Sequence, residues 1–161
     1  MLIKLLTQND WLQWKALRLE ALQNSPAIFG STFEEESLLS DQEFKNRLTK
    51  NAIFGAFVEN QLVGCAGLYT LGQLKTKHRC ILWGMYIQPE HRGKGIANGL
   101  VQAVIDCAKS RATQLHLSVV TTNLIAIALY EKHGFRIYGT EPKSLKSGDE
   151  FYDEHLMILD L

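Results

Sequence analysis

The stretch Gln88–Ala97, QPEHRGKGIA, joins an apolar run to the clearest amphipathic helix pattern in the chain. It places Gly93 and Gly95 beside the basic residues Arg92 and Lys94. Unpaired backbone N–H groups and the helix dipole favour an anion at the start of a helix. Glycine lets the backbone approach such a ligand closely, and the basic side chains add charge. The turn therefore predicts a phosphate or pyrophosphate site, with a basic surface turn as the alternative.

The segments around this turn predict alternating strands and helices. After it, apolar residues recur at helical spacing from Ile96 to Ala108, and before it Arg79–Gln88 is apolar and predicts a strand. Further strands are predicted at Leu2–Leu6, Ala52–Val58, Leu62–Leu71, Leu115–Val119, Phe135–Tyr138 and Phe151–Leu159, with further helices from Trp11 to before Pro26, after Ser40, and from Asn123 to His133. The last two strands are expected to pair across a loop from Pro142 to Glu150. This order predicts an α/β layered sheet of mixed direction.

Length, charge and cysteine usage exclude several classes of protein. A chain of 161 residues without a linker or repeat predicts one domain, residues 1–161. The 17 basic residues equal the 17 acidic residues, so the chain has no overall preference for nucleic acid or anionic membranes. The apolar N-terminus is too short for a signal peptide, which predicts a cytoplasmic protein. Scattered histidines and three separated cysteines predict no metal site and no disulfide.

Two motifs together identify a family. Neither the phosphate-loop pattern nor the dinucleotide-fold pattern is present. The loop Arg92-x-x-Gly95-x-Ala97 after an apolar strand resembles the pyrophosphate loop of the GNAT superfamily of acyl-CoA-dependent N-acyltransferases. Downstream, Asn123–Phe135 matches that family's Asn-x-x-Ala-x-x-Leu-Tyr-x-x-x-Gly-Phe segment at every named position. Upstream, Arg18–Leu22 and Phe29–Glu36 are similar to the first-helix region of many small bacterial members, so the likeness covers essentially the whole chain.

The resemblance implies a fold and a cofactor site. The fold would be GNAT-like, a mixed and mostly antiparallel central sheet flanked by helices in a single domain. The cofactor would be acetyl-CoA, used as the acyl donor, with the pantetheine arm bonded like an extra strand to the backbone of Met85, Tyr86 and Ile87. The remaining implied cofactor-binding residues are Arg92, Gly93, Lys94, Gly95, Ile96, Ala97 and Asn123. Met85–Ile87 as ordinary core strand, and Asn123 as only a helix cap, stay open as alternatives.

The resemblance also implies a proton donor but leaves the general base open. Tyr130 occupies the family's tyrosine position, and a phenol stays protonated at neutral pH, so it is the candidate acid, with core packing as the alternative. Many members carry a glutamate on the strand before the loop, but Cys80–Trp83 contains no acid. His78, His116 and a water relay are the remaining candidates. Glu34–Glu36 would either attract a cationic amine or form a solvated face.

These observations predict an N-acetyltransferase that moves an acetyl group from acetyl-CoA to a primary amine by direct transfer in a ternary complex. The acceptor is a small-molecule or peptide amine, and neither nucleic acid nor membrane is an expected partner. A covalent intermediate on Cys65, Cys80 or Cys107 is disfavoured because each cysteine lies in an apolar run. A non-catalytic coenzyme A-binding or sensing module is the alternative function. A homodimer is expected on family grounds only.

Overall fold

The computed structural model describes residues 1–161 and contains seven strands and five α-helices. The strands are β1 Leu2–Leu5, β2 Ala52–Val58, β3 Gln61–Thr70, β4 Arg79–Ile87, β5 Gln114–Val120, β6 Arg136–Ser147 and β7 Glu150–Asp160. The α-helices are α1 Trp11–Asn24, α2 Phe33–Glu36, α3 Asp41–Lys50, α4 Ile96–Lys109 and α5 Leu124–Lys132, and short 3-10 helices cover Gln8–Asp10 and Pro89–His91. The predicted order of elements is therefore confirmed, with α2 as an addition.

All seven strands belong to one sheet in the order β1-β2-β3-β4-β5-β7-β6. Every neighbouring pair is antiparallel except β4 and β5, which run parallel. The predicted α/β fold with a mixed, mostly antiparallel sheet flanked by helices is confirmed. The parallel pair lies at the centre of the sheet, where it joins β1–β4 to β5–β7.

Each face of the sheet carries its own hydrophobic core. On one face, α4 and α5 bury Leu100, Val104 and Tyr130 against alternate strand residues such as Leu82 and Leu115. On the opposite face, α1 and α3 bury a second cluster. That cluster comprises Leu6, Trp14, Leu17, Ala21, Phe44, Leu48, Ile53, Phe57, Leu62, Cys65 and Tyr86. Because side chains alternate across a strand, consecutive residues of β2, β3 and β4 contribute to both clusters.

The predicted loop from Pro142 to Glu150 is wrong. Strand β6 continues to Ser147 and pairs with β7 on both sides of a register shift between Glu141 and Leu145, and only Gly148 and Asp149 form the turn. Pro142 is accommodated because the register shifts between Glu141 and Leu145 and because β6 is an edge strand, where a missing N–H costs no ladder bond. The chain therefore forms a long hairpin that extends beyond the end of β5.

The helix α2 was not predicted. Thr32 caps it and exchanges hydrogen bonds with Glu35, so part of the acidic run Glu34–Glu36 serves to begin this one-turn helix. Glu36 is buried rather than solvated, with 3% of its surface exposed. In the described chain, none of the helices has the length and apolar character that a membrane crossing requires.

Candidate active site

The central parallel pair opens into a gap. Strands β4 and β5 pair only from Arg79 to Ile81 on one side and from Gln114 to His116 on the other. Beyond this point residues 82–87 of β4 and 117–120 of β5 have no partner across the gap. Unpaired backbone groups of this kind accept an extended ligand as an additional strand.

A β-bulge shapes the β4 side of the gap. Cys65 pairs with Tyr86 and Gly67 pairs with Trp83, so Gly84 and Met85 together face the single residue Ala66 of β3. Gly84 has a φ of +64°, a conformation that other residues rarely adopt. Sequence reasoning overlooked this glycine, although a glycine inside a strand pattern is a signal for a bulge.

The loop after β4 exposes a row of free backbone donors. No hydrogen bond within the chain uses the backbone N–H groups of residues 93–98, and Gly99 is the first to donate, to the Gly95 carbonyl. Gly93 and Gly95 have φ values of +74° and +81°, and an added Cβ would meet no atom within 4 Å at either position. These donors lie at the N-terminus of α4, where the helix dipole also favours an anion.

Arg92 is held at the base of this loop. Its Nε donates a 3.0 Å hydrogen bond to the carbonyl of Ile87, and its guanidinium carbon lies 5.8 Å from the centroid of the Tyr86 ring. Lys94 is exposed and makes no hydrogen bond or ion pair within the chain. The predicted anion-binding residues Arg92–Ala97 therefore form one continuous segment that follows the unpaired end of β4.

The structure places Met85–Ile87 at the same end of β4. Met85 packs against the core under α4, whereas the Tyr86 side chain enters the opposite core. The Tyr86 hydroxyl donates to Glu20 Oε1 at 2.9 Å, and Gln88 Nε2 donates to Glu20 Oε2 at 2.8 Å. Burial, together with the bond to Glu20, raises the pKa of Tyr86. Sequence reasoning missed this link between α1 and the loop, because it depends on tertiary packing.

Asn123 and Tyr130 lie on α5, beyond the end of β5. Asn123 Oδ1 accepts a hydrogen bond from the Ala126 N–H at 3.3 Å, so it caps the helix. The Tyr130 ring packs edge-on against Phe135 in the core that α4 also covers. Its hydroxyl makes no hydrogen bond within the chain and is not sealed from solvent. Burial raises the pKa of Tyr130, which keeps the phenol protonated.

A cavity of about 860 Å³ lies on the face of the sheet opposite α4. One wall is the segment from Leu22 to Glu34, and the other is the tip of the β6–β7 hairpin, residues 144–148. The first wall continues from α1, which packs on β3 and β4, and the second belongs to the hairpin that pairs with β5 through β7. Glu34 and Lys146 are its charged lining residues. Because the hairpin tip was predicted as a loop, sequence reasoning could not place this cavity.

The histidine candidates for a general base lie outside this arrangement. His78 is exposed at the start of β4, where the strands are still paired. His116 is buried, accepts from Arg79 Nε at 3.2 Å through Nε2, and packs edge-on against Tyr138. Burial and the charge of Arg79 lower its pKa. No group of three or more His, Cys, Asp or Glu side chains is arranged to hold a metal ion.

A buried arginine lies beneath the bulge, and no local sequence pattern predicts its burial. Arg18 of α1 donates to both oxygens of Glu36, from Nε at 3.0 Å and from Nη2 at 2.9 Å. Arg47 approaches the same carboxylate at 3.1 Å. The Arg18 Nη1 atom is buried without a partner and lies 3.6 Å from the position that a Cβ would take at Gly84.

Comparison with known proteins agrees with this geometry. The model of the acetyltransferase (GNAT) family matches residues 13–135. The spermidine N(1)-acetyltransferase of Vibrio cholerae is 32% identical over 119 residues, which cover 71% of this chain and 69% of that protein. Among the curated relatives that it matches, the chain spans between 27% and 69% of their length.

Solved structures share the fold across almost the whole chain. A GNAT-family acetyltransferase from Streptococcus pneumoniae superposes with a TM-score of 0.89 at 22% identity, covering 99% of both chains. A phosphinothricin acetyltransferase from Sinorhizobium meliloti, solved in complex with acetyl-CoA, gives a TM-score of 0.84 at 18% identity over 99% of this chain and 88% of that one.

The gap, the bulge and the donor-rich loop define a fold class built to hold an extended, anionic cofactor. Because the family model covers most of its length, the chain belongs to the acetyltransferase (GNAT) family. The prediction of an acyl-CoA-dependent acetyltransferase that uses acetyl-CoA is confirmed at the level of this family.

Proposed function

We propose that this protein transfers an acetyl group from acetyl-CoA to a primary amine, directly and within a ternary complex. The observation that carries the proposal is the row of unpaired N–H groups at residues 93–98 beside the open edge of β4. A pyrophosphate satisfies such donors, and Arg92 adds a charge-assisted contact.

The cofactor would then extend from the loop into the gap. With its pyrophosphate at residues 93–98, the pantetheine arm runs back along Met85–Ile87 and bonds to their backbone like an added strand. Its sulfur reaches the level of the bulge, because the bulge is the next part of β4 toward the closed end of the gap. Asn123 lies at the opposite margin, where it contacts the cofactor while still capping α5.

The chemistry requires an uncharged amine and a protonated leaving group. The amine nitrogen forms a bond to the acetyl carbonyl carbon, and the carbon–sulfur bond breaks with its electron pair on sulfur. Tyr130 gives its hydroxyl proton to that sulfur, producing the free thiol. The new amide nitrogen releases one proton to water, since no acid or histidine of the chain faces the gap from β4. A proton from water then returns to the Tyr130 phenolate, so the enzyme is regenerated. Because burial raises the pKa of Tyr130, its phenol is protonated when the thioester binds.

The acceptor amine would enter from the cavity between the end of α1 and the hairpin tip. In this proposal the cavity opens toward the gap on the side opposite α4, so donor and acceptor would reach the reacting carbon from different directions. Its lining combines apolar side chains with few charged ones, which fits a small-molecule or peptide amine.

Binding of the donor is tested by calorimetry with acetyl-CoA. We expect the Arg92→Ala substitution to weaken binding by about 1.5 to 3 kcal/mol, the size of a charge-assisted phosphate contact. Arg111→Ala removes an exposed arginine next to the far end of α4 and serves as the matched control. Unchanged affinity in a folded Arg92→Ala protein would refute the assignment of the loop.

Turnover is tested by measuring coenzyme A release across a panel of amines. Release with one class of amine, and none without an amine, supports direct transfer. A protein that binds acetyl-CoA tightly but releases no coenzyme A with any amine is instead a coenzyme A-sensing module.

A further inference from the structure

Arg18 holds a positive charge in the interior of the protein. Only 4% of its surface is exposed, and its guanidinium lies between two aromatic rings, 5.2 Å from the centroid of Phe29 and 5.5 Å from that of Trp83. Burying a charge is costly unless it is paired, and Glu36 supplies that partner through two hydrogen bonds.

This pairing uses only part of the guanidinium. The Nε and Nη2 atoms donate to Glu36, whereas the Nη1 atom on the other side has no partner. Glu36 is also shared with Arg47, so two cations face one carboxylate. The network therefore keeps an excess of positive charge, and the unpaired edge of Arg18 is turned toward the bulge at Gly84.

The bulge is where the reacting sulfur would lie under the proposed function, on which this inference rests. The pyrophosphate loop is at the C-terminal end of β4, so an arm that follows Met85–Ile87 backward ends beside Gly84. Tyr130 belongs to the core beneath α4, and Arg18 approaches from the opposite face of the sheet. The two side chains thus lie on opposite faces of the sheet.

We propose that Arg18 is a positioning residue whose buried charge stabilises the negative charge that develops on the thioester and on the departing sulfur of coenzyme A. It acts through the electric field in a site of low dielectric rather than by contact. Glu36 fixes the orientation of the guanidinium, and the two aromatic rings exclude water from it.

The electric field of Arg18 also acts on a thiol of the chain, that of Cys65. Cys65 Sγ lies 3.5 Å from the Gly84 carbonyl oxygen, which it approaches as a donor. Burial raises the pKa of Cys65 to about 11, and the charge of Arg18 acts in the opposite direction, lowering it. The groups that face Arg18 are Glu36 from α2, Phe29 from the segment before α2, Cys65 from β3 and Trp83 from β4, so Glu36 is the only carboxylate in contact with it.

The test measures the pKa of the coenzyme A thiol while it is bound to the protein. The ultraviolet absorbance of the thiolate is followed against pH for the complex with coenzyme A, and the complex with desulfo-coenzyme A provides the baseline. We expect Arg18→Met to raise this pKa by about one unit, because a nearby opposite charge favours the ionised form. Arg18→Lys keeps the charge and should leave the pKa near the wild-type value.

Two further variants distinguish an effect of the Arg18 charge on the thiol pKa from a structural effect of the substitution. Arg47→Met removes the other partner of Glu36, on its solvent side, and should raise the thiol pKa by less than Arg18→Met does, because Arg18 and not Arg47 faces Gly84. Arg18→Met combined with Glu36→Gln avoids an unpaired buried carboxylate, so it replaces the single variant if that one does not fold. We expect this double variant also to raise the thiol pKa.

The results distinguish this inference from the proposed function. An unchanged thiol pKa in a folded Arg18→Met or double variant that binds coenzyme A overturns the role of Arg18 and leaves the proposed function intact. A wild-type protein that does not bind coenzyme A overturns both. With an amine substrate in hand, a loss of about 10²-fold in kcat for Arg18→Met with little change in acetyl-CoA affinity supports the inference.

Discussion

Tyr86 and Tyr130 are both buried, but their hydroxyl groups have different surroundings. The Tyr86 hydroxyl is fixed by Glu20 and by Asn24, whose Nδ2 donates to it at 3.1 Å. The Tyr130 hydroxyl is free of partners within the chain. A phenol that holds no structural hydrogen bond is available to a ligand, so loss of its oxygen should affect chemistry more than stability.

We therefore expect Tyr130→Phe to lower kcat by about 10²-fold or more and to change acetyl-CoA affinity little. The ring keeps its packing against Phe135, so thermal unfolding should be close to that of the wild type. Steady-state kinetics on an identified amine, with calorimetry for binding, measures both effects. Wild-type turnover in Tyr130→Phe would rule out the acid role.

Candidate site residues could be proposed from the sequence only where a local motif contains them. The loop residues and Tyr130 lie in ordered motifs, and the asparagine cap of α5 follows from its own side chain. Arg18 and Glu36 lie 18 positions apart on two helices, and nothing local shows that they meet. Their pairing depends on how α1 and α2 pack on the sheet.

At the scale of the element, α4 depends on the conformation of the residue that precedes it. Gly95 occupies the N-cap position with left-handed backbone angles, so its N–H and those that follow point away from the helix. Space is not the constraint, because a side chain there would meet no atom within 4 Å. The constraint is conformational, and it is strongest for a β-branched residue.

Gly95→Val should therefore destabilise the protein by about 1 to 2 kcal/mol and reduce acetyl-CoA binding more than Arg92→Ala does. Gly72→Ala is the matched control, since Gly72 also has open space but has no positive φ. Chemical denaturation and calorimetry give the two quantities. Normal coenzyme A binding by Gly95→Val would mean that the loop is only a turn.

The one-turn helix α2 is fixed by Glu36. Burial alone raises the pKa of this carboxyl, but the hydrogen bonds and charges of Arg18 and Arg47 outweigh burial and hold the pKa below its usual value. A carboxyl with a depressed folded-state pKa contributes its stabilisation fully above the unfolded-state pKa, which is about 4.3. That stabilisation is lost as the pH falls through the folded-state pKa.

We expect Glu36→Gln to lower the free energy of unfolding at neutral pH by about 3 to 5 kcal/mol, because it leaves buried cations unpaired. The variant should also lose less stability than the wild type as the pH falls below about 4. Denaturation series at several pH values test this, with Glu34→Gln as the control because Glu34 makes no ion pair. Parallel pH dependences for wild type and Glu36→Gln would contradict the prediction.

Elements were predictable wherever hydrophobic period and end signals agreed. The period of α4 and the capping box at Ser40 gave the correct helices. The predicted strand β6 was too short because proline ends most strands. Pro142 is tolerated here because β6 lies at the edge of the sheet. Edge position is a property of the whole sheet and is not visible in a local window.

At the scale of the molecule, the sheet consists of two parts joined by a short seam. Strands β1–β4 are covered by helices on both faces, whereas β5–β7 include the long and mostly exposed hairpin. The seam contains the three residue pairs between β4 and β5 and the contacts of α4 with β5 and α5. Few contacts across a boundary allow the parts on either side to open separately.

We expect native-state hydrogen exchange to reveal this division in the free protein. Amides of β6 and β7 should exchange through openings of lower free energy than amides of β2 and β3. Saturating acetyl-CoA should raise the opening free energy of both sets, by up to about 2.7 kcal/mol at a ligand concentration of a hundred times Kd. The increase should be larger for β6 and β7, so that the difference between the two sets becomes smaller. Equal opening free energies without ligand would contradict the division.

The narrow seam has a consequence for the lifetime of the protein. Under the proposed function, a cofactor bonded to β4 on one side and in contact with the end of β5 on the other would complete the sheet, and the free protein would have a less complete interior. Proteases act on locally opened states, and we expect the long hairpin to open first. Scarcity of acetyl-CoA would then shorten the survival of the enzyme as well as slow its reaction.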